Sequence, residues 1–340
     1  MKLYICMTYY HTLISFIKTL ISGDKATLLL ANNIPDCKEL KNRLQETGCF
    51  EFVYEYDETS ILKEATYSNK MVELFMQHSI LKRTVEKYLP INLHESYDIY
   101  IYHDYSKLGK YLIQERIYFH LIEDALDYFQ YFDQYYHVAS SSYHNGNIKS
   151  WLKSKLNIGY QLWGTSPYCI DIEVNNKEGI KISSDKIIEV PRKELFACLT
   201  NEQRTFIYNT YASGKDMRGK QGKTAIVFTQ PLYAAKHVLT MEDQMQVFEA
   251  VLKQFTDEGY QVVLKPHPRD EGDYSNLVSK YKCGFIDKNL PSEILNYNPE
   301  ARYDVAVSIT STAINFLEYA DKKIFMGMDY VGEVLKQPCV

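Results

Sequence analysis

Residues 224–269 read TAIVFTQPLYAAKHVLTMEDQMQVFEAVLKQFTDEGYQVVLKPHPR. The run TAIVFT (224–229) is apolar and of strand length, and so is YQVVLK (260–265). Between them, residues 241–257 place apolar side chains at helical spacing and stop near Gly259. Apolar strand, amphipathic helix, apolar strand is the pattern of a β-α-β unit with both strands parallel in one sheet. The segment ends in Lys265-Pro266-His267-Pro268-Arg269, directly after the second strand. Each proline pushes the residue before it toward an extended backbone, which sets Lys265 and His267 on a stiff loop at the mouth of the sheet.

The alternation extends in both directions. Downstream, CGFID (283–287) suits a short strand, SEILN (292–296) one helical turn and YDVAVSI (303–309) a strand. STAINFLEYA (311–320) then suits a helix and KIFMGM (323–328) a closing strand. Upstream, strands are expected at 2–7, 26–31, 51–56, 97–103 and 116–122, with helices at 11–22, 36–47 and 60–89. Residues 140–190 carry turn chemistry, and SGKDMRGKQGK (213–223) is a Gly- and Lys-rich connection. The pattern predicts an α/β protein of two Rossmann-like domains, 1–160 and 223–340, connected through 161–222. Their strand ends are expected to line one interdomain cleft.

Composition narrows the function. A length of 340 residues fits two ordinary domains, and a formal charge of -5 offers no broad basic surface for nucleic acid. No apolar run approaches the roughly 20 residues that span a bilayer. The N-terminus has one early Lys and no small-residue cleavage pattern, so it reads as strand and helix rather than a signal peptide. The seven cysteines are scattered without a C-x-x-C, which argues against disulfides and zinc and fits a reducing cytoplasm. There is no Asp-x-Asp to hold a cation against a nucleotide diphosphate, no G-x-x-x-x-G-K-[ST] and no G-x-G-x-x-G.

Six groups could carry chemistry. An imidazolium at His267, flanked by Lys265, Pro268 and Arg269, suits a phosphate and could protonate a leaving oxygen. Ser308, Thr310, Ser311 and Thr312 join a strand to the expected helix 311–320, whose first N–H groups would bind the same anion. Thr229 and Gln230 close the neighbouring strand. Glu123-Asp124 follows the strand RIYFHLI and offers a general base for a hydroxyl, although acids also favour a first helical turn. Glu242-Asp243 opens helix 241–257 and admits the same two readings. Thr8, Tyr10 and His11 follow the first strand and would face the cleft.

Taken in order, Met7-Thr8-Tyr9-Tyr10-His11, Ile122-Glu123-Asp124, Pro266-His267-Pro268-Arg269 and Arg302-Tyr303 leading to Ser308 resemble the motif set of bacterial sialyltransferases. Glycosyltransferase family 52, with its lipooligosaccharide and capsule enzymes, is the nearest match, and the set covers most of the chain. The resemblance implies a GT-B fold and inverting transfer from CMP-sialic acid to a galactose-terminated glycan, without metal or other cofactor. It implies that His267 meets the donor phosphate and assists CMP departure, with Ser308, Ser311 and Thr312 on the same phosphate. The base is Asp124 by one branch of the resemblance and Glu242 or Asp243 by another. Glu123, Thr8, Tyr10 and His11 fall on the acceptor side. Ala125 stands where the motif has Gly, which questions a tight turn there. The implied enzyme is cytoplasmic, and both a homodimer and peripheral attachment to the inner membrane face are compatible with it. Open alternatives are a GT-B transferase for another nucleotide sugar or CDP-polyol, and a degenerate GT-B binding module.

Overall fold

The computed structural model describes residues 1–66, 70–95, 97–125, 127–131, 161–180, 185–212, 222–297, 302–310, 314 and 317–336, with backbone alone at 70–75 and 131. Ser311, Thr312 and the turn-rich 140–160 lie outside the described residues. The chain divides into two compact units, Met1–Leu199 and Thr200–Val340.

In the first unit the order is β1 (Lys2–Cys6), α1 (Tyr9–Ser22), β2 (Ala26–Ala31), α2 (Cys37–Glu46), β3 (Phe50–Tyr56), α3 (Glu58–Glu64), α4 (Lys70–Tyr88) and β4 (Asp98–Ile101). There follow α5 (Lys107–Gln114), β5 (Phe119–Ile122), a 3-10 turn at Tyr128–Tyr131, β6 (Cys169–Val174), β7 (Ile187–Glu189) and α6 (Arg192–Ala197). The described strands form one sheet, β3-β2-β1-β4-β5-β6-β7, and every pairing is parallel. Strand β2 is buried at all of its positions, as a central parallel strand covered on both faces must be.

Two expectations change here. The stretch 60–89 is two helices, not one. Asp57 caps the first by accepting from the Ser60 N–H, and that helix stops at Glu64 with Ala65 as its C-cap, while the second begins at Lys70. Residues 169–189, expected in a connection, instead add β6 and β7 to the first sheet. Strand β6, CIDIEV, carries two acids that hide its strand pattern. Glu173 is tolerated because Arg192 from α6 and Lys18 from α1 pair with its two oxygens at 2.7 and 2.5 Å.

In the second unit the order is α7 (Asn201–Ala212), β8 (Thr224–Phe228), α8 (Met241–Asp257), β9 (Gln261–Lys265), α9 (Ser275–Tyr281) and β10 (Gly284–Phe285). A 3-10 turn (Ser292–Tyr297), β11 (Tyr303–Ser308), β12 (Ala320–Phe325) and α10 (Gly327–Leu335) complete it. The sheet order is β10-β9-β8-β11-β12, again all parallel. Helix α8 buries Val247, Phe248, Val251, Leu252 and Phe255 in a core with Val227, Leu264 and Val307. The last strand begins at Ala320 rather than Lys323, because Tyr303 and Ala320 pair in register and the Tyr303 N–H donates to the Tyr319 carbonyl at 2.8 Å. Of the helix expected over 311–320, the described residues show only a 3-10 position at Ile314.

Each sheet reverses its strand order at its first strand, between β1 and β4 and between β8 and β11. Loops leaving the carboxyl ends of those pairs diverge, which opens a crevice in each unit. The loops after β1, β4 and β5 form one cluster of polar side chains, and those after β8, β9 and β11 form another.

Candidate active site

In the first unit, Thr8 caps α1 and its hydroxyl accepts from the His11 N–H. His11 is fully buried beneath that cap, its ring stacked on Tyr102 at 4.0 Å. The Met7 N–H donates to His11 Nδ1 at 3.1 Å. A nitrogen that accepts carries no proton, so neutral His11 bears its proton on Nε2. That atom lies 2.7 Å from Asp124 Oδ1. His103, just beyond β4, brings its own Nε2 to 2.6 Å from the same oxygen. Burial pushes the Asp124 carboxyl up, but His103 and His11 outweigh it and hold the group well below the usual carboxylate range. Burial lowers His11 to about 4, only partly offset by Asp124, so its ring is neutral at neutral pH.

The loop that carries His103 is held from two sides. Asp104, buried beside it, accepts from the Gly164 N–H at 2.7 Å, and burial raises its carboxyl to about 6. Gly109 in α5 packs so tightly on this loop that a Cβ there would stand 2.5 Å from the His103 carbonyl oxygen. Glu123 is also buried, and its oxygens accept from the Phe129 and Asn175 N–H groups at 3.2 and 2.7 Å. Burial raises it to about 7. Ala125 is not among the residues with positive φ, whereas Asp127 is, so the turn after Asp124 needs no glycine at that position.

In the second unit the loop after β9 is built around Asp270, which is 1% exposed. Its Oδ1 accepts from Gln244 Nε2 at 2.8 Å and the Gly272 N–H at 2.9 Å. Its Oδ2 accepts from the Tyr274 hydroxyl at 2.8 Å and from Thr229 Oγ1. Thr229 Oγ1 in turn accepts from the His267 N–H at 3.2 Å. The Arg269 N–H donates to His267 Nδ1 at 3.0 Å, which again leaves the proton of the neutral ring on Nε2. Burial, then Arg269 and Lys265, lower His267 to about 4. The imidazolium expected from sequence is therefore a neutral N–H donor in the unliganded protein. Two neighbouring cations and burial disfavour a third charge.

Gln230 bridges this loop to the one after β11. Its Nε2 donates to Thr310 Oγ1 at 2.9 Å and its Oε1 accepts from the Thr310 N–H at 2.8 Å. Thr310 is thus tied to the same frame as His267, with its N–H already engaged. Lys265, expected at the mouth, is 3% exposed, and its Nζ donates to the Pro266 and Lys288 carbonyls, both at 3.0 Å. Burial lowers it to about 7. Ser308 is buried at the end of β11, while Pro268 and Arg269 are exposed. Asp243 closes a capping box with Thr240, its Oδ2 accepting from the Thr240 N–H at 2.8 Å, and Glu242 is exposed.

The structure thus gathers His11 and Asp124 in the first unit, and His267, Thr229, Gln230 and Thr310 in the second. It gives Lys265 and Glu123 hydrogen bonds to loop backbone, and Thr8 and Asp243 helix caps. Sequence reading missed His103, Asp270, Gln244 and Tyr274. Position alone could have flagged His103, the last residue of YDIYIYH, and Asp270, the acid that follows Pro266-His267-Pro268-Arg269.

Comparison with known proteins identifies the fold and the family. A Haemophilus influenzae protein of uncharacterised function is 27% identical over 179 residues, 52% of this chain, and the match spans 56% of that relative, little over half its length. The α/β-galactoside α-2,3-sialyltransferase of Photobacterium phosphoreum is similar in fold, with a TM-score of 0.51 at 11% identity over 98% of this chain and 95% of that one. The GT-B domain of a Photobacterium damselae sialyltransferase gives 0.53 at 11% identity over 95% and 89%. A Photobacterium 2,6-sialyltransferase in complex with CMP and lactose gives 0.51 at 10% identity over 95% and 71%. At such identities the likeness establishes the GT-B fold, in agreement with the two parallel sheets. The sequence profile of glycosyltransferase family 52 matches residues 50–326, most of the chain, and the chain belongs to that family.

Proposed function

We propose that the protein is a sialyltransferase that moves sialic acid from CMP-sialic acid to a galactoside hydroxyl of a surface glycan, by inverting displacement and without metal. The observation that carries this reading is the fixed Nε2–H of His267. The Arg269 N–H takes Nδ1, so the one remaining ring proton is a directed donor for a phosphate oxygen. A neutral donor suffices for the single phosphodiester of a CMP-activated sugar, and the bound anion would raise the proton affinity of the ring as charge develops on the leaving oxygen. The Gln230–Thr310 bridge and Thr229 hold the donor-side loops rigid around it, so little reorganisation accompanies reaction. The missing Asp-x-Asp supports metal independence.

On the acceptor side the geometry favours Asp124 and its two imidazoles over the carboxylates of α8. The Asp243 carboxylate is committed to its helix cap. Family membership and the galactoside-specific structural relative support a galactoside acceptor. Among the described residues no helix is long and apolar enough to cross a membrane. A cytoplasmic enzyme working at the inner membrane face remains part of the proposal.

The test is release of CMP from CMP-sialic acid with lactose and EDTA present, with thermal shifts against CMP, CDP and UDP alongside. CMP release together with selective stabilisation by CMP is expected. Stabilisation by CDP or UDP alone would assign the fold to another activated donor, and CMP binding with no turnover on any acceptor would make it a binding module.

A further inference from the structure

An aromatic cluster stands beside Asp124 in the first unit, and it is built on a strained turn. Trp163 and Gly164 are the central residues of the turn 162–165, in which the Thr165 N–H donates to the Leu162 carbonyl at 3.3 Å. Their φ values are 62° and 73°. Gly164 takes that conformation freely, but a residue as bulky as tryptophan is strained there. The turn is held from outside. Buried Asp104 accepts from the Gly164 N–H at 2.7 Å and from the Trp163 N–H. Gly164 packs so closely on β6 that a Cβ would run into the Ile172 side chain. Asp104 immediately precedes Tyr105, so the same carboxylate ties the turn to the loop after β4. Strain persists where the surroundings over-determine it, and it collects at ligand clamps.

What the strain fixes is the indole. Trp163 is 6% exposed, and the rings of Tyr105 and Tyr128 stack on it at 5.6 and 5.3 Å, inclined by 29° and 16°. Phe129 meets it edge-on at 6.1 Å. Tyr105 comes from the loop after β4 and Tyr128 from the 3-10 turn after β5, and both are only half-buried. The Tyr105 ring lies 4.8 Å from that of His103, and the Asp124 side chain beside that imidazole is 21% exposed. The Tyr105 hydroxyl is hydrogen-bonded to Tyr128, and burial, then Asp124, raise its pKa well above the usual tyrosine value. It therefore remains a neutral hydroxyl.

Partly exposed aromatic rings, neutral hydroxyls and a carboxylate in one small area suit a sugar ring. One face of a galactopyranoside presents C–H groups, which pack on an aromatic ring, while its hydroxyls donate to a carboxylate. We propose that Tyr105 and Tyr128 form the platform on which the acceptor galactoside lies with its hydroxyls toward Asp124, and that Trp163 is the positioning residue that sets both rings. The inference rests on the sialyltransfer reading and names the side chains that hold the acceptor within it.

The experiment uses the full chain with CMP-sialic acid and lactose. The sequence holds two tryptophans, Trp151 and Trp163, so Trp151→Phe makes the indole of the cluster the sole one. Lactose added to this variant with CMP present should change the tryptophan emission along a saturating curve, and mannitol, which has no ring, should not. Tyr105→Leu should raise the KM for lactose roughly 10-fold or more, with kcat changed far less and the CMP thermal shift retained. Tyr105→Phe, which keeps the ring, should retain most of the affinity. Trp163→Leu should raise the KM likewise, and Trp163→Phe should restore part of it. An unchanged lactose KM in Tyr105→Leu would overturn the inference, and so would Trp163 emission that ignores lactose while transfer proceeds. The fluorescence titration leaves the cluster intact, so it decides the matter even where a cluster variant fails to fold. Absence of CMP release by the wild type would instead remove the sialyltransfer reading, and the acceptor platform with it.

Discussion

Asp270 is the residue on which the loop of His267 depends, and replacing it separates charge from shape. The carboxylate accepts four hydrogen bonds, and its backbone N–H donates to the His267 carbonyl at 2.9 Å. The partners of Oδ1 are amide donors, Gln244 Nε2 and the Gly272 N–H, which cannot become acceptors. The partners of Oδ2 are hydroxyls, Thr229 and Tyr274, which can rotate. Asp270→Asn can therefore keep its oxygen toward the amides and turn its NH2 toward the hydroxyls, losing mainly charge assistance, about 1–2 kcal/mol. Asp270→Ala leaves three buried donors and the half-buried Gly272 N–H without an acceptor, at about 1–3 kcal/mol for each donor that finds no water. With partial relaxation we expect a loss of about 4 kcal/mol, a large part of the stability of a domain this size. Urea unfolding followed through the second unit, with the CMP thermal shift as functional readout, measures both variants. Asp270→Ala within about 1 kcal/mol of wild type, or Asn as damaging as Ala, would refute the reasoning.

Other outcomes follow from the same geometry. His267→Ala should slow CMP release roughly 100- to 1000-fold with an unchanged melting curve, and near wild-type turnover would remove the phosphate role. His120 sits between Asp171 and Asp98 at 2.8 and 2.9 Å; burial lowers its pKa, but those two acids outweigh it and leave it raised. Its stabilising contribution is therefore full below the unfolded value near 6.5 and fades as pH rises through the higher folded value. Thermal melts of wild type and His120→Gln should accordingly converge with rising pH. Lys265 is shifted the other way, to about 7, so the unfolded chain binds the extra proton between about 7 and 10.5 and stability rises with pH in that window. Lys265→Met should flatten that rise in a pH series of melts, and should cost stability through the two carbonyls it leaves unpaired.

The sheet of the second unit could be read from its apolar runs. TAIVFT and YQVVLK flank an amphipathic helix, and local pattern dictates each element without help from elsewhere. The position of His267 after a strand and between prolines was equally legible, because backbone restriction by proline is local. Strand β6 was not legible, since its Glu173 pairs with Arg192 and Lys18, 19 and 155 positions away, and its Asp171 with His120, 51 positions away. The break in the stretch 60–89 hid behind apolar spacing on both sides of a short polar run.

Residue types and order along the chain determined the α/β class, the family motifs and the set of candidate side chains. Only the tertiary structure decided which groups each candidate meets, because protonation and hydrogen bonding depend on groups distant in sequence. Glu123 and Lys265 turned out to bond loop backbone and Asp243 to cap its own helix, and one oxygen of Asp124 turned out to lie within 2.7 Å of two imidazoles. The backbone N–H of Met7 is four residues from His11, and Asp124 is 113 residues away. Neither the tautomer of that ring nor the charge of His267 exists as a property of sequence. Each is set by which donors and cations the fold brings within reach of a nitrogen.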